Sequence, residues 1–255
     1  MKPDFSQYGF QNSKDLIMAY IGGSQAHGAK VAGTDDIDWY GVFVESPEKA
    51  LGVDRLEHFV TTTGGKPGGN GPGDVDICLY TLRKWAGLAA KGNPSSLHFL
   101  FAPLEFNHIL WAYIQIRSDK FLSRGHVRPF LGFADDQMKR LFGEKGQKNI
   151  HRAAIEEKYG YDTKYAMHVI RLYGEAKELM ETGRITLPRP NKDELIAIRE
   201  GKYKLSEIRT MGRDLEADAL RASDSSPLPA RIDRDEISKI VAYVYREFWK
   251  LQEGK

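Results

Sequence analysis

Residues Ile21 to Val44 read I-G-G-S-Q-A-H-G-A-K-V-A-G-T-D-D-I-D-W-Y-G-V-F-V, an order of apolar, glycine-bearing and acidic segments from which the fold can be read. The apolar run Leu16 to Ile21 stops at Gly22-Gly23, as a short buried strand does when it meets backbone-permissive residues. Gly23-Ser24 then opens a turn. There the backbone can approach a ligand closely, and the Ser24 hydroxyl with nearby N–H groups can donate to phosphate oxygens. The plainer reading of the same pair is a strand-to-helix turn with a serine cap.

Beyond Gly28, Thr34 to Val44 reads as a polar turn, with Asp35 in it, leading into a second strand. Asp36 and Asp38 are two apart, so strand periodicity directs both carboxylates to one face. Like charges held that close repel unless a cation lies between them or one is protonated. An oxygen-only donor set selects a hard ion, most simply Mg²⁺. A solvated acidic turn is the alternative. Farther along, Asp74-Val75-Asp76-Ile77-Cys78-Leu79-Tyr80 reads as another strand. If it lies beside the second, Asp76 completes a three-carboxylate cluster with Asp36 and Asp38, and Asp74 is the spare.

The stretch Thr61 to Gly73 is too rich in Gly and Pro for a core element and reads as a linker or lid beside that corner. It lacks the Gly-Lys-Ser/Thr ending of a P-loop. Thr81 to Lys91 is amphipathic, and Asn93-Pro94-Ser95 caps a shorter helix starting near Ser96. From about Ile109 the pattern is helical: Phe130 to Phe142, Thr163 to Thr182, Asp193 to Glu200, Leu205 to Ala222 and Arg234 to Gln252. Strands early and helices late describe an α+β head over residues 1–108 and a helical domain over 109–255.

With 255 residues, 41% of them hydrophobic and 28% charged, the chain can bury a substantial core in two such parts. The net charge of +2 is too mild to identify a polyanionic partner. Cys78 is the single cysteine, which excludes an intrachain disulfide and a cysteine-based zinc cage, so a cytoplasmic location is expected. The first twenty residues do not resemble a secretory signal, and no run has the roughly 18 apolar residues of a membrane span. On the helix opened by Asp162 or Thr163, the basic residues Lys164, His168 and Arg171 share one face, either solvated or turned to a triphosphate. Lys139, Arg140, Lys145, Lys148 and Arg152 form a looser basic group suited to solvent or to a nucleic-acid backbone. His27, His98 and His151 read as packed or surface histidines rather than metal ligands.

Gly23-Ser24, Gly28, Asp36-x-Asp38 and the distant Asp76 resemble the polymerase β nucleotidyltransferase superfamily. The string Gly23 to Val44, Leu79-Tyr80-x-Leu82-Arg83-Lys84 with Lys91-Gly92-Asn93-Pro94, and Tyr161 to Arg171 with Thr182-Gly183-Arg184 are similar to its stand-alone bacterial and phage members. The resemblance spans roughly residues 20 to 200. It implies a small mixed sheet bearing the metal site, joined to a helical domain. It further implies a nucleoside triphosphate as substrate and two Mg²⁺ ions held by Asp36, Asp38 and Asp76. Gly23 and Ser24 would touch the β- and γ-phosphates, Asp76 would help accept a proton, and Lys164 and Arg171 would bind triphosphate. Two departures stand out: the Gly28 to Asp36 spacing is one residue longer than the pattern, and His98 occupies a position where an acidic residue is expected.

The resulting expectation is an enzyme moving a nucleoside monophosphate to a hydroxyl acceptor, with an RNA or tRNA end among those allowed. The alternative is a catalytically silent, antitoxin-like or regulatory binding protein on the same fold. The sequence is silent on oligomeric state and base preference, and a membrane partner is not expected.

Overall fold

Leu16–Ile21 forms β1, whose first four residues are fully buried, as an apolar run covered on both faces requires. The structure is a computed structural model, and it describes residues 1–30, 36–64, 73–143 and 153–254. Thr34 and Asp35, the 65–72 part of the Gly-rich stretch, and Lys145, Lys148, His151 and Arg152 lie outside the described residues.

After the single-turn helix α1 (Gly23–His27) comes β2 (Ile37–Phe43), then α2 (Pro47–Leu51), β3 (His58–Thr62) and β4 (Val75–Thr81). A two-residue strand, β5 (Phe106–Asn107), completes a mixed five-stranded sheet in the order β3-β4-β2-β1-β5. β2 and β4 run parallel and the other pairs antiparallel. Two details of the sheet differ from the sequence expectation. Thr61 and Thr62 belong to β3, whose half-exposed alternation and β-branched residues suit an edge strand, while the glycines that follow obscure it in the sequence. Asp36 lies one residue before β2 rather than inside it.

The helices are α3 (Leu82–Ala89), α4 (Pro94–Phe101), α5 (Ile109–Gln115), α6 (Val127–Leu141), α7 (Ala153–Tyr159), α8 (Thr163–Thr182), α9 (Lys192–Arg199), α10 (Leu205–Asp224) and α11 (Arg234–Glu253). The fold is α+β. Asn93 caps α4 through Ser96 N–H at 3.0 Å, so the helix starts at Pro94, two residues before the expected start. Asp162 caps α8, accepting from the N–H groups of Lys164 (2.9 Å) and Tyr165 (3.0 Å), and Gly183 ends it in a left-handed conformation.

One cluster of buried side chains runs from Ile17 and Val42 on the sheet, through Trp85, Leu97 and Trp111, to Val169 on α8 and Phe248 on α11. Trp85 and Trp111 meet edge to face at 4.6 Å, and the Trp85 indole N–H donates to the Ser96 carbonyl at 3.0 Å. Trp249 of α11 donates to the Glu45 carbonyl at 2.9 Å, tying the last helix to the end of β2. Among the described residues, no helix is long and apolar enough to cross a membrane.

Candidate active site

The parallel register pairs Asp38 with Asp76 across β2 and β4, putting both carboxylates on one face at the same height. Asp36 arrives from the approach to β2, where the Ile37 N–H donates to the Asp74 carbonyl at 2.8 Å. One oxygen from each of Asp36, Asp38 and Asp76 lies within 4.8 Å of the others. Burial, then the charges of Asp36 and Asp76, push the Asp38 carboxyl up to about 6, with Lys164 acting the other way. Three half-buried carboxylates with that mutual repulsion are the oxygen donor set a hard divalent cation relieves, so these residues fit Mg²⁺.

The phosphate turn is built against this cluster. Gly22 N–H donates to the Asp38 carbonyl at 2.7 Å. Gly23 has φ +56, and a Cβ there would sit 1.9 Å from Asp38 Oδ2, so both the backbone and the carboxylate demand glycine. Ser24 follows in α1. Behind them Tyr20 and Tyr40 stack at 5.5 Å, and burial holds both phenols well above their ordinary range.

A cleft of about 460 Å³ separates this corner from the helices. Gly23, Ser24 and the three aspartates line it on the sheet side, while Lys164, His168 and Arg171 line it from α8 at i, i+4 and i+7. Gly23, Ser24, Asp36, Asp38, Asp76, Lys164 and Arg171 therefore border one cavity. Asp74 does not line it. Two helix turns on α6 add Phe133, 48% exposed, and Gln137 to the same cleft. Neither was singled out in the sequence, where an aromatic residue on an amphipathic helix looks like core.

The histidines are the larger surprise. His27 and His98, read as ordinary packed or surface residues, both border the cleft and both approach the fully buried Glu175. Burial alone would raise the Glu175 carboxyl, but Arg171 and then the His98 contact reverse this and hold it well below the usual range. Burial and then Arg171 keep His27 well below its ordinary value, so it is neutral. The one signal in the sequence was that Glu175 follows Arg171 by four on α8.

A protein of Enterobacteria phage T4, described as an uncharacterized 38.9 kDa protein in the nrdC-mobD intergenic region, is 26% identical over 140 residues. That match takes in 53% of this chain and 40% of the phage protein, so the chain spans well under half of that relative's length. A nucleotidyltransferase-like protein from Exiguobacterium sibiricum, known from a crystal structure, aligns with 98% of this chain and 78% of its own at 9% identity and a TM-score of 0.30. The family model RlaP, described as the RNA repair pathway DNA polymerase beta family, matches residues 3–222, from ahead of β1 into the last turn of α10, and the chain belongs to that family.

Proposed function

We propose that the protein moves a nucleoside monophosphate from a nucleoside triphosphate to the hydroxyl of an RNA 3′ end, with release of pyrophosphate. The observation that carries this reading is the cluster of Asp36, Asp38 and Asp76 facing the basic side of α8 across one cleft. The choice of RNA among hydroxyl acceptors takes its support from the family's description as the RNA repair pathway DNA polymerase beta family. Asp36, Asp38 and Asp76 are the residues that would hold Mg²⁺, as two ions. Bound there, Mg²⁺ supplies charge neutralisation at the phosphoryl group and at the attacking oxygen.

The protein's own groups orient and balance the charges. Gly23 and Ser24 bind the β- and γ-phosphates, and Lys164 and Arg171 face the negative charge that builds on the leaving pyrophosphate. The acceptor oxygen bonds to the α-phosphorus, the bond from that phosphorus to the β-bridging oxygen breaks, and its electron pair leaves with pyrophosphate. Asp76 accepts the hydroxyl proton.

The test is incubation with each labelled triphosphate, with and without RNA. Label should enter RNA in Mg²⁺, and Asp38→Asn should lower the rate by about a thousandfold or more. Bound triphosphate with no label in any acceptor would sink the reading in favour of a silent binding protein. RNA shortened rather than extended would mark a nuclease.

A further inference from the structure

Glu175 is 0% exposed and carries three contacts from three different elements. Its Oε1 accepts from Arg171 Nη1 at 2.9 Å, its Oε2 lies 3.0 Å from His98 Nε2, and Oε1 is 3.4 Å from His27 Nδ1. Arg171 Nη1 also lies 3.0 Å from His27 Nε2, so the neutral imidazole accepts there and its proton belongs on Nδ1, which lies near Glu175 without forming a hydrogen bond to it. His27 ends the phosphate turn, His98 belongs to α4, and Arg171 to α8. One carboxylate thereby fixes an arginine of the cleft against the turn expected to hold phosphates.

Neither a metal site nor a purely stabilising ion cluster suits these four residues. His27, His98 and Glu175 offer ligand atoms within 4.8 Å of one another, as a zinc site would. The Arg171 guanidinium, however, occupies both Glu175 Oε1 and His27 Nε2, which sets a fixed positive charge where the metal would go. Stability alone is also a poor reason, because desolvating a buried ion pair consumes most or all of its attraction.

What remains is position. Arg171 uses Nη1 within the network, while its Nη2 group and its buried Nε–H have no acceptor among the described residues. That Nε–Nη2 edge matches two oxygens of one phosphate. We propose that Glu175, backed by His98, is a positioning residue that holds Arg171 by Nη1 so that its opposite edge receives the triphosphate. The proposal rests on the nucleotidyltransferase reading for its ligand, and calorimetry tests it without turnover.

Glu175→Gln keeps the shape and removes the charge. Triphosphate affinity, measured by calorimetry in Mg²⁺, should weaken about tenfold or more, with KM rising alike and kcat falling as well, because Arg171 also faces the charge on the leaving pyrophosphate. Arg171→Ala should weaken binding similarly, and combining the two should add little, because both act through one guanidinium. A folded Glu175→Gln protein with wild-type affinity would overturn the proposal. If that variant does not fold, Arg171→Lys carries the test, since it keeps the charge and loses the two-oxygen edge; wild-type affinity there would overturn the proposal equally. Zinc bound by an Asp36→Asn/Asp38→Asn protein and lost on adding Glu175→Gln would overturn it in favour of a metal site. Triphosphate bound but never transferred would sink the catalytic reading while leaving Glu175's role intact, whereas no triphosphate binding by the wild type would overturn both.

Discussion

At the scale of single residues, Asp38 concentrates the chemistry. Its backbone carbonyl takes the Gly22 N–H, its carboxylate fills the space a side chain at residue 23 would need, and its charge is opposed by two neighbours. Raised to about 6, it keeps a proton in the folded, metal-free protein that the unfolded chain has already lost. The sign follows: between the ordinary aspartate value and about pH 6, raising the pH costs the metal-free protein stability, and Asp38→Asn should raise its melting temperature at pH 7. Cation binding must displace that proton. Mg²⁺ affinity measured by titration should therefore fall as pH drops below about 6, by up to about tenfold per unit, and level off above it. Affinity that does not change between pH 5 and 7 would contradict the assignment of Asp38 as a ligand.

Among the elements, α8 does the most to assemble the cleft. Its twenty residues present Lys164, His168 and Arg171 to the cavity while Ala166, Val169, Ile170 and Tyr173 pack into the core and against the neighbouring helices. The sequence marks both ends plainly, with Asp162 as cap and Gly183 as stop, because capping is local chemistry. Lys164 lies in the first turn, so the cap also sets the position of a charge. Asp162→Ala should cost about 1–2 kcal/mol by urea denaturation and weaken triphosphate binding as well. Lost stability with unchanged binding would show that Lys164 takes no part. β3 was harder to read, since an edge strand with one exposed face and glycines beside it lacks a decisive local signature.

For the molecule as a whole, the buried cluster reaching from Ile17 to Phe248 joins sheet and helices in a continuous core. Trp85, at its centre and fully buried, should cost about 3–5 kcal/mol on replacement by Ala. The loss should appear as one shifted transition by both far- and near-ultraviolet circular dichroism; two separated transitions would show that the parts unfold independently. Much of the site was legible because period-two spacing, a glycine-serine turn and a basic helix face are local patterns that bring Asp36, Asp38, Gly23, Ser24, Lys164 and Arg171 into view. Asp76 could be singled out, but only the parallel pairing of β2 with β4 puts it opposite Asp38. His27 and His98 had no such pattern, and Glu175 had only its place four residues after Arg171: the three lie far apart in the chain, and a histidine among apolar neighbours looks like packing. The strand-turn-strand corner and the helices that face it follow from local sequence, because backbone preference and hydrophobic periodicity act over a few residues. Tertiary structure alone decided that a buried glutamate would gather two histidines and an arginine at the cleft, because only folding removes the water that otherwise keeps such charges apart.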